Sequence, residues 1–183
     1  MRLEAATRKP PPGVEALLAD LGDGENGFGG TPVPSGKATL DEFLQRCCEG
    51  ADPALVPAGL VPQTVYWVLN DAGRAIGMVR MRHYLNDNLR VHGGHIGYFI
   101  RHDQRGQGHA TAALGLALAE LRRLGEPRAL VTVNADNLPS IKVIEANGGR
   151  RVEEPAGAAI GDNPGATTVR YWIELDAGRG DAV

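Results

Sequence analysis

His95–Leu124 reads HIGYFIRHDQRGQGHATAALGLALAELRRL, and the fold turns on how this stretch divides. HIGYFIR has the composition of a buried strand, and RGQG is a short basic loop with two glycines. Ala110, Ala113, Leu114, Ala117, Leu118, Leu121 and Leu124 then follow the three-and-four spacing that lines one helical face. Gly125 and Pro127 stop that helix, and Arg122 and Arg123 complement the negative end of its dipole. At the opposite end, Arg105 to Ala110 bring backbone N–H groups to a helix start. A first turn has orphan donors and partial positive charge, so it suits a phosphate-bearing ligand. Gly106 and Gly108, lacking a Cβ, allow that ligand to approach the backbone closely.

Outward from this stretch, the chain becomes sheet-like on both sides. TVYWVLN from Thr64, the turn Asp71-Ala72-Gly73 and RAIGMVRMRHYL predict an antiparallel hairpin. Residues 86–94 are expected to be a loop. Arg128–Asn134 (RALVTVN) reads as a buried strand, and a helix follows from Asn137 or Leu138 with Pro139 in its first turn. It carries Ile141, Val143 and Ile144 and ends at Asn147-Gly148-Gly149. Further strands are expected around Arg151–Glu154 and Val169–Leu175, joined by a loose 155–166 loop. Before the hairpin stand a loose strand over Met1–Arg8 and a short helix from Val14. Residues 22–38 then form a Gly/Pro-rich stretch, either a surface loop or a flap. A second helix starts at Thr39, where Thr39-x-x-Glu42 fits a capping box. Consecutive strands before one long crossover helix give an α/β chain with a mixed, mostly antiparallel central sheet flanked by helices.

The 183 residues are one domain's worth, with room for a proper core. Nineteen Lys plus Arg against 22 Asp plus Glu gives a net charge of −3, which weighs against a dedicated nucleic-acid binder. Cys47 and Cys48, adjacent and the only cysteines, make neither a disulfide framework nor a zinc site. There is no apolar run of about 18 residues and no signal-peptide pattern, so the expected partners exclude membrane and the expected compartment is the cytoplasm. His92-x-x-His95 resembles ligand spacing, but the two point to opposite faces of a strand and no acidic cluster completes the set. No metal is expected.

Three loop grammars compete for the glycines. A nucleotide P-loop requires Lys and Ser/Thr after its last glycine, where His109 and Ala110 stand. A dinucleotide fingerprint requires Gly or Ala at the position of Thr111. Arg105-x-x-Gly108-x-Ala110, after a strand and before a long helix, resembles the pyrophosphate loop of the GCN5-related N-acetyltransferases (GNAT), whose pattern is Gln/Arg-x-x-Gly-x-Gly/Ala. YFIR resembles the family's fourth strand, and LVTVNADNLPSIKVIEANGG its fifth strand and following helix. The family's Asn-x-x-Ala/Ser element stands as Asn137-x-x-Ser140, and the match spans residues 61–175. The upstream hairpin, GGHIGY and RYWIEL resemble one bacterial acetyltransferase subgroup.

The resemblance implies a GNAT-like fold and acetyl-CoA as co-substrate. Its pantetheine would pair with Phe99, Ile100 and Arg101, and its pyrophosphate would lie on Arg105, Gly106, Gln107, Gly108, His109 and Ala110. Asn137 and Ser140 would stand near the pantetheine. On this reading residues 1–60 are a variable acceptor-side region, 61–175 the coenzyme A core and 176–183 a flexible tail. The implied reaction is direct acetyl transfer to a primary amine of a small molecule or peptide, and the resemblance also allows a homodimer. The alternative is a non-catalytic acyl-CoA-binding or sensing module on the same fold.

Two departures bear on the chemistry. The family's usual tyrosine acid, seven residues after the Asn, is Ile144 here, and Gly-Phe after the helix is Gly148-Gly149. Tyr98 and Tyr171 are the alternative acids. His95 is the candidate base, because imidazole titrates near neutral pH and shares strand parity with Phe99 and Arg101. Arg82, His83 and Asn86 are candidates for the acceptor pocket. Asp20, Asp23, Glu25, Asp41 and Glu42 could attract a cationic amine.

Overall fold

In the computed structural model, residues 1–152 and 168–175 are described. Chain order is β1 (Arg2–Ala5), α1 (Val14–Leu21), β2 (Gly24–Glu25), β3 (Phe28–Gly29), α2 (Leu40–Ala51), β4 (Gln63–Leu69), β5 (Ala75–Arg82), α3 (Asp87–His92), β6 (Ile96–Ile100), a 3-10 turn (His102–Gln104), α4 (His109–Arg123), β7 (Arg128–Asn134), α5 (Leu138–Ala146), β8 (Arg150–Arg151) and β9 (Thr168–Glu174). The expected capping box is formed: Thr39 Oγ1 accepts from the Glu42 amide at 3.2 Å, and the Glu42 carboxylate accepts from the Thr39 amide at 2.7 Å. The expected strand at Arg151–Glu154 is described only at its start. The 155–166 loop and the 176–183 tail lie outside the described residues.

Two antiparallel sheets make the framework, one ordered β1-β4-β5-β6 and the other β7-β9-β8. Side chains alternate across each strand, so the first sheet feeds two cores. Trp67, Met78 and Phe99 turn to α1 and α2, packing on Leu17, Leu18 and Leu44. Val68, Val79, Met81, Ile96 and Ile100 turn the other way, onto the apolar stripe of α4 (Ala113, Leu114, Ala117, Leu118, Leu121) and the residues of β7 and β9. No helix among the described residues is long and apolar enough to cross a membrane.

A pair of hydrogen bonds at the start of β6 joins the two sheets. The His95 amide donates to the Leu130 carbonyl at 2.7 Å, and the Leu130 amide donates to His95 Nδ1 at 2.9 Å. Gly94 makes this approach feasible: a Cβ there would stand 2.7 Å from the Leu130 carbonyl oxygen. Beyond this pinch, among the described residues, β6 pairs only with β5 and β7 only with β9. The facing edges open into a V, with backbone donors and acceptors lining it.

Candidate active site

The V is the floor of a cavity of about 970 Å³ that runs from the start of α4 to the β2–β3 hairpin. At the α4 end, Gly106 and Gly108 hold φ of 73° and 78°, where a side chain would be strained, and the space around both is open. Gly108 is the N-cap and supplies no side-chain acceptor. Ala112 is the first residue whose amide reaches back to a carbonyl, that of Gly108 at 3.1 Å. The amides of His109, Ala110 and Thr111 therefore stand at the cavity with the dipole behind them, a ready anion site. Asn137 caps α5 by accepting the Ser140 amide at 3.2 Å, and both residues line the far wall.

Arg105 turns back over the end of β6. Its Nε donates to the Ile100 carbonyl at 2.9 Å, its guanidinium lies 5.4 Å from the Phe99 ring, and it pairs with Glu25. His102 joins the same knot, with Nδ1 3.0 Å from Asp20 and Nε2 3.2 Å from Glu25. The phosphate-type loop, α1 and the β2–β3 hairpin are thus tied by charge. Burial raises the pKa of the Asp20 carboxyl but hydrogen bonds from His102 outweigh it, leaving a net lowering.

The hairpin end is built from side chains. Asn26 and Gly27 both take positive φ, 49° and 83°, as a two-residue primed turn requires. This turn carries Phe28 onto β6, where it stacks on Phe99 at 6.3 Å. Arg80 lies 4.5 Å over the Phe28 ring and donates to the Gly30 carbonyl at 2.9 Å. Arg82, on the same face of β5, donates to the Gly94 carbonyl at 2.8 Å. Burial lowers the pKa of both guanidinium groups.

Of the residues expected from sequence, Arg82, Tyr98, Phe99, Ile100, Arg105, Gly106, Gly108, His109, Ala110, Asn137 and Ser140 line this cavity. The others are placed elsewhere. His95 is 2% exposed and turns its ring to β7 instead of following strand parity, because it closes the pinch between the sheets. Burial, with Arg90 and Arg82 nearby, pushes its pKa down to about 4 and outweighs the Glu126 carboxylate 3.5 Å from Nε2. The ring is enclosed between the sheets and is not among the residues that line the cavity. Tyr171 belongs to the core under α4. Arg101 donates its amide to Ile76 and its guanidinium to Asp103. Gln107 is exposed and is not among the residues lining the cavity. His83 bonds Thr64 at 2.8 Å, and Asn86 caps α3, a helix in the segment expected as a loop. Tyr98 lines the cavity, but its hydroxyl donates to the Ser140 carbonyl at 3.3 Å, and burial pushes its pKa up to about 12.

Arg80, Phe28 and the 24–29 hairpin were missed from sequence. Asn26-Gly27 was the available signal, since Asn-Gly is the strongest short hairpin marker. Ile144, at the position of the family's tyrosine, is 1% exposed and lines the cavity wall with a hydrocarbon surface. Of the carboxylates expected to draw a cation, Asp20 and Glu25 are held by His102 and Arg105, Asp41 by Arg8, and Glu42 by its own cap. No group of three or more His, Cys, Asp or Glu converges among the described residues.

A split pair of sheets, a crossover helix with an uncapped start and a cavity between them define an acyltransferase-type framework. A family model described as an acetyltransferase (GNAT) domain matches residues 23–150. The chain belongs to the GNAT acetyltransferases. Among solved structures it resembles an N-acetyltransferase from Staphylococcus aureus Mu50 (15% identity, 94% of this chain and 97% of the other, TM-score 0.61). The ribosomal-protein-S5-alanine acetyltransferase of Vibrio fischeri is also similar (14%, 96% and 93%, TM-score 0.60). So is yncA of Salmonella typhimurium, solved with its cofactor acetyl-CoA (16%, 80% and 81%, TM-score 0.50). At these identities the likeness is one of fold. No curated protein matches the sequence.

Proposed function

We propose that the protein transfers an acetyl group from acetyl-CoA to a primary amine by direct attack. The carrying observation is the continuity of one cavity from the uncapped first turn of α4, along the open edge of β6, to the pocket under the hairpin. A diphosphate fits the amides of His109, Ala110 and Thr111, and Gly106 and Gly108 leave room for it. As an added strand would, pantetheine amides fit the open edge of β6 at Tyr98–Ile100, where the Ile100 carbonyl also accepts from Arg105. Asn137 and Ser140 close the opposite side. The acetyl-CoA held by yncA supports this placement for a chain of the same fold.

The acceptor amine enters from the hairpin side and attacks the thioester carbonyl as the neutral base. Tyr98 is the one tyrosine proposed as acid that reaches the cavity, and its proton is committed to the Ser140 carbonyl. With a pKa near 12 it serves as a fixed dipole rather than a proton source. The thiolate therefore departs as the anion, and the proton shed by the newly acylated nitrogen passes through water to neutralise it. On this reading only the neutral amine attacks, so kcat/KM rises with pH along the acceptor amine's own ionisation.

The commitment of Tyr98 and the alkyl side chain at Ile144 favour one second reading, a module that binds acyl-CoA without turning it over. Free thiol release from acetyl-CoA, followed with a panel of amines, separates the two. Amine-dependent release supports the transferase, whereas tight coenzyme A binding with no release across the panel supports the sensor.

A further inference from the structure

Arg80 and Arg82 stand two residues apart on one face of β5, and both line the hairpin end of the cavity. Each guanidinium is held by one backbone carbonyl, Gly30 for Arg80 and Gly94 for Arg82. Neither has a carboxylate partner among the described residues: burial dominates the environment of both, and Arg82 itself is a nearby like charge for Arg80. Among the described residues Glu25 is the one carboxylate in the same wall, and it is paired with Arg105. This end of the cavity thus carries two partly buried positive charges with donor capacity to spare, and an isolated buried charge is costly unless paired. The diphosphate subsite is on the other face of the sheet, at α4, so it does not use them. Phe28 lies over the Arg80 guanidinium at 4.5 Å.

Resting on the transferase reading above, we propose that the acceptor is a small amine carrying an oxyanion, as an amino acid or its phosphonate analogue does, and that Arg80 and Arg82 hold the oxyanion. Guanidinium forks match carboxylate and phosphonate geometry alike. The pair orients the acceptor so that its amine points down the V toward the thioester. Basic peptides and polyamines are disfavoured, since this wall repels them.

Calorimetric titration with coenzyme A comes first and tests the parent reading alone. Absence of binding there overturns both readings. Initial rates with acetyl-CoA are then compared for free L-amino acids, their primary amides and aminoalkylphosphonates. The free acid or the phosphonate is expected to exceed the amide by about 10-fold or more in kcat/KM, the worth of a charge-assisted hydrogen bond. Whichever anion wins identifies the source. Arg82→Gln should bring the acid-to-amide ratio toward unity with the KM for acetyl-CoA unchanged, and Arg82→Lys should restore part of it. Arg80→Gln should act in the same direction. Equal rates with acids and amides in the unmodified protein, or polyamines or protein N-termini as better acceptors, would overturn the proposal, as would a ratio unmoved in both glutamine variants. If coenzyme A binds and no amine is acetylated, the acid and amide are compared by calorimetry on the coenzyme A-saturated protein. Selective binding of the acid then supports the anion site, and equal or absent binding of both overturns it.

Discussion

The two ends of the cavity are made of different material. At the α4 end the groups that face the space are backbone: amides of a first helical turn, glycines with positive φ, and the open edge of β6. At the hairpin end they are side chains, Phe28, Arg80 and Arg82, brought together from strands far apart in sequence. Backbone donors serve any chain that adopts the turn, so this end suits a ligand shared across many acceptors. Side chains can change one at a time without disturbing the sheet, so on the proposed reading the other end would choose the acceptor. The difference assigns separate jobs to the two ends, and it breaks if a change at one end moves the other.

The largest effect is expected at the backbone end. His109 occupies the first turn of α4, and His109→Glu puts a carboxylate where the anion would lie. Helix stability should hold, because an acidic residue in the first turn suits the dipole. Coenzyme A affinity should fall by about 100-fold, roughly 3 kcal/mol, given about 4 kcal/mol for like charges at 4 Å near a protein surface. Calorimetry and thermal melting read the two quantities separately. Unchanged affinity would remove the diphosphate from this turn.

Next in size is the pinch that opens the V. His95→Ala leaves the buried Leu130 amide without its acceptor, a loss of about 2 kcal/mol in urea unfolding. The native imidazole also gives stability a pH slope of known sign. Its folded pKa of about 4 lies below the unfolded value of about 6.5. The unfolded chain therefore binds the proton first as pH falls. This contribution is complete above pH ~6.5 and is lost between there and pH ~4, up to roughly 3 kcal/mol. The variant should show a shallower fall over that window than the native chain. Were His95 a base, the variant would lose turnover well below its melting temperature, which is the opposite outcome.

How much of this was legible in the sequence follows the same division. The α4 loop, β7 and the capping box were readable because helix starts, buried strands and caps are local patterns. Arg105-x-x-Gly108-x-Ala110 marked the loop and helix start that line the α4 end of the cavity. The acceptor end depends on which residues the topology brings together, and Arg80 looked like any strand residue until Phe28 was placed over it. His95 shows the limit of parity arguments: alternation sends it toward Phe99, yet it precedes the strand and faces β7, where a ladder partner is missing. The Asn26-Gly27 turn was local and could have been read. Its glycine-rich surroundings masked it.

That turn allows a smaller and more local test. Gly27→Ala places a Cβ at φ 83° in ordinary contact with Asn134 Oδ1 at 3.8 Å, so mainly backbone strain of about 1 kcal/mol is added. Roughly a five-fold rise in acceptor KM is expected, with coenzyme A affinity unmoved. A shift in both would mean the hairpin is part of the donor site.

The smallest effect concerns the link between the ends. Glu25 of the hairpin pairs with Arg105 of the α4 loop, and both side chains are about one-third exposed. Solvent screening holds such a pair to about 0.2–1 kcal/mol. A double-mutant cycle of Glu25→Gln and Arg105→Gln, read on coenzyme A affinity, should return a coupling in that range. Its dependence on salt should be steep for an exposed pair, fading as the screening length shortens. The same cycle read on acceptor KM tests whether the pair transmits anything. If hairpin and loop are merely pinned together, the coupling is equal in both readouts, because one contact is being lost. If coenzyme A orders the hairpin through Arg105, then Arg105→Gln changes acceptor KM only in the presence of Glu25, and the coupling grows when coenzyme A is bound. The two ends would then be distinct in composition but joined in action, with Arg105 spanning them from its place over Phe99.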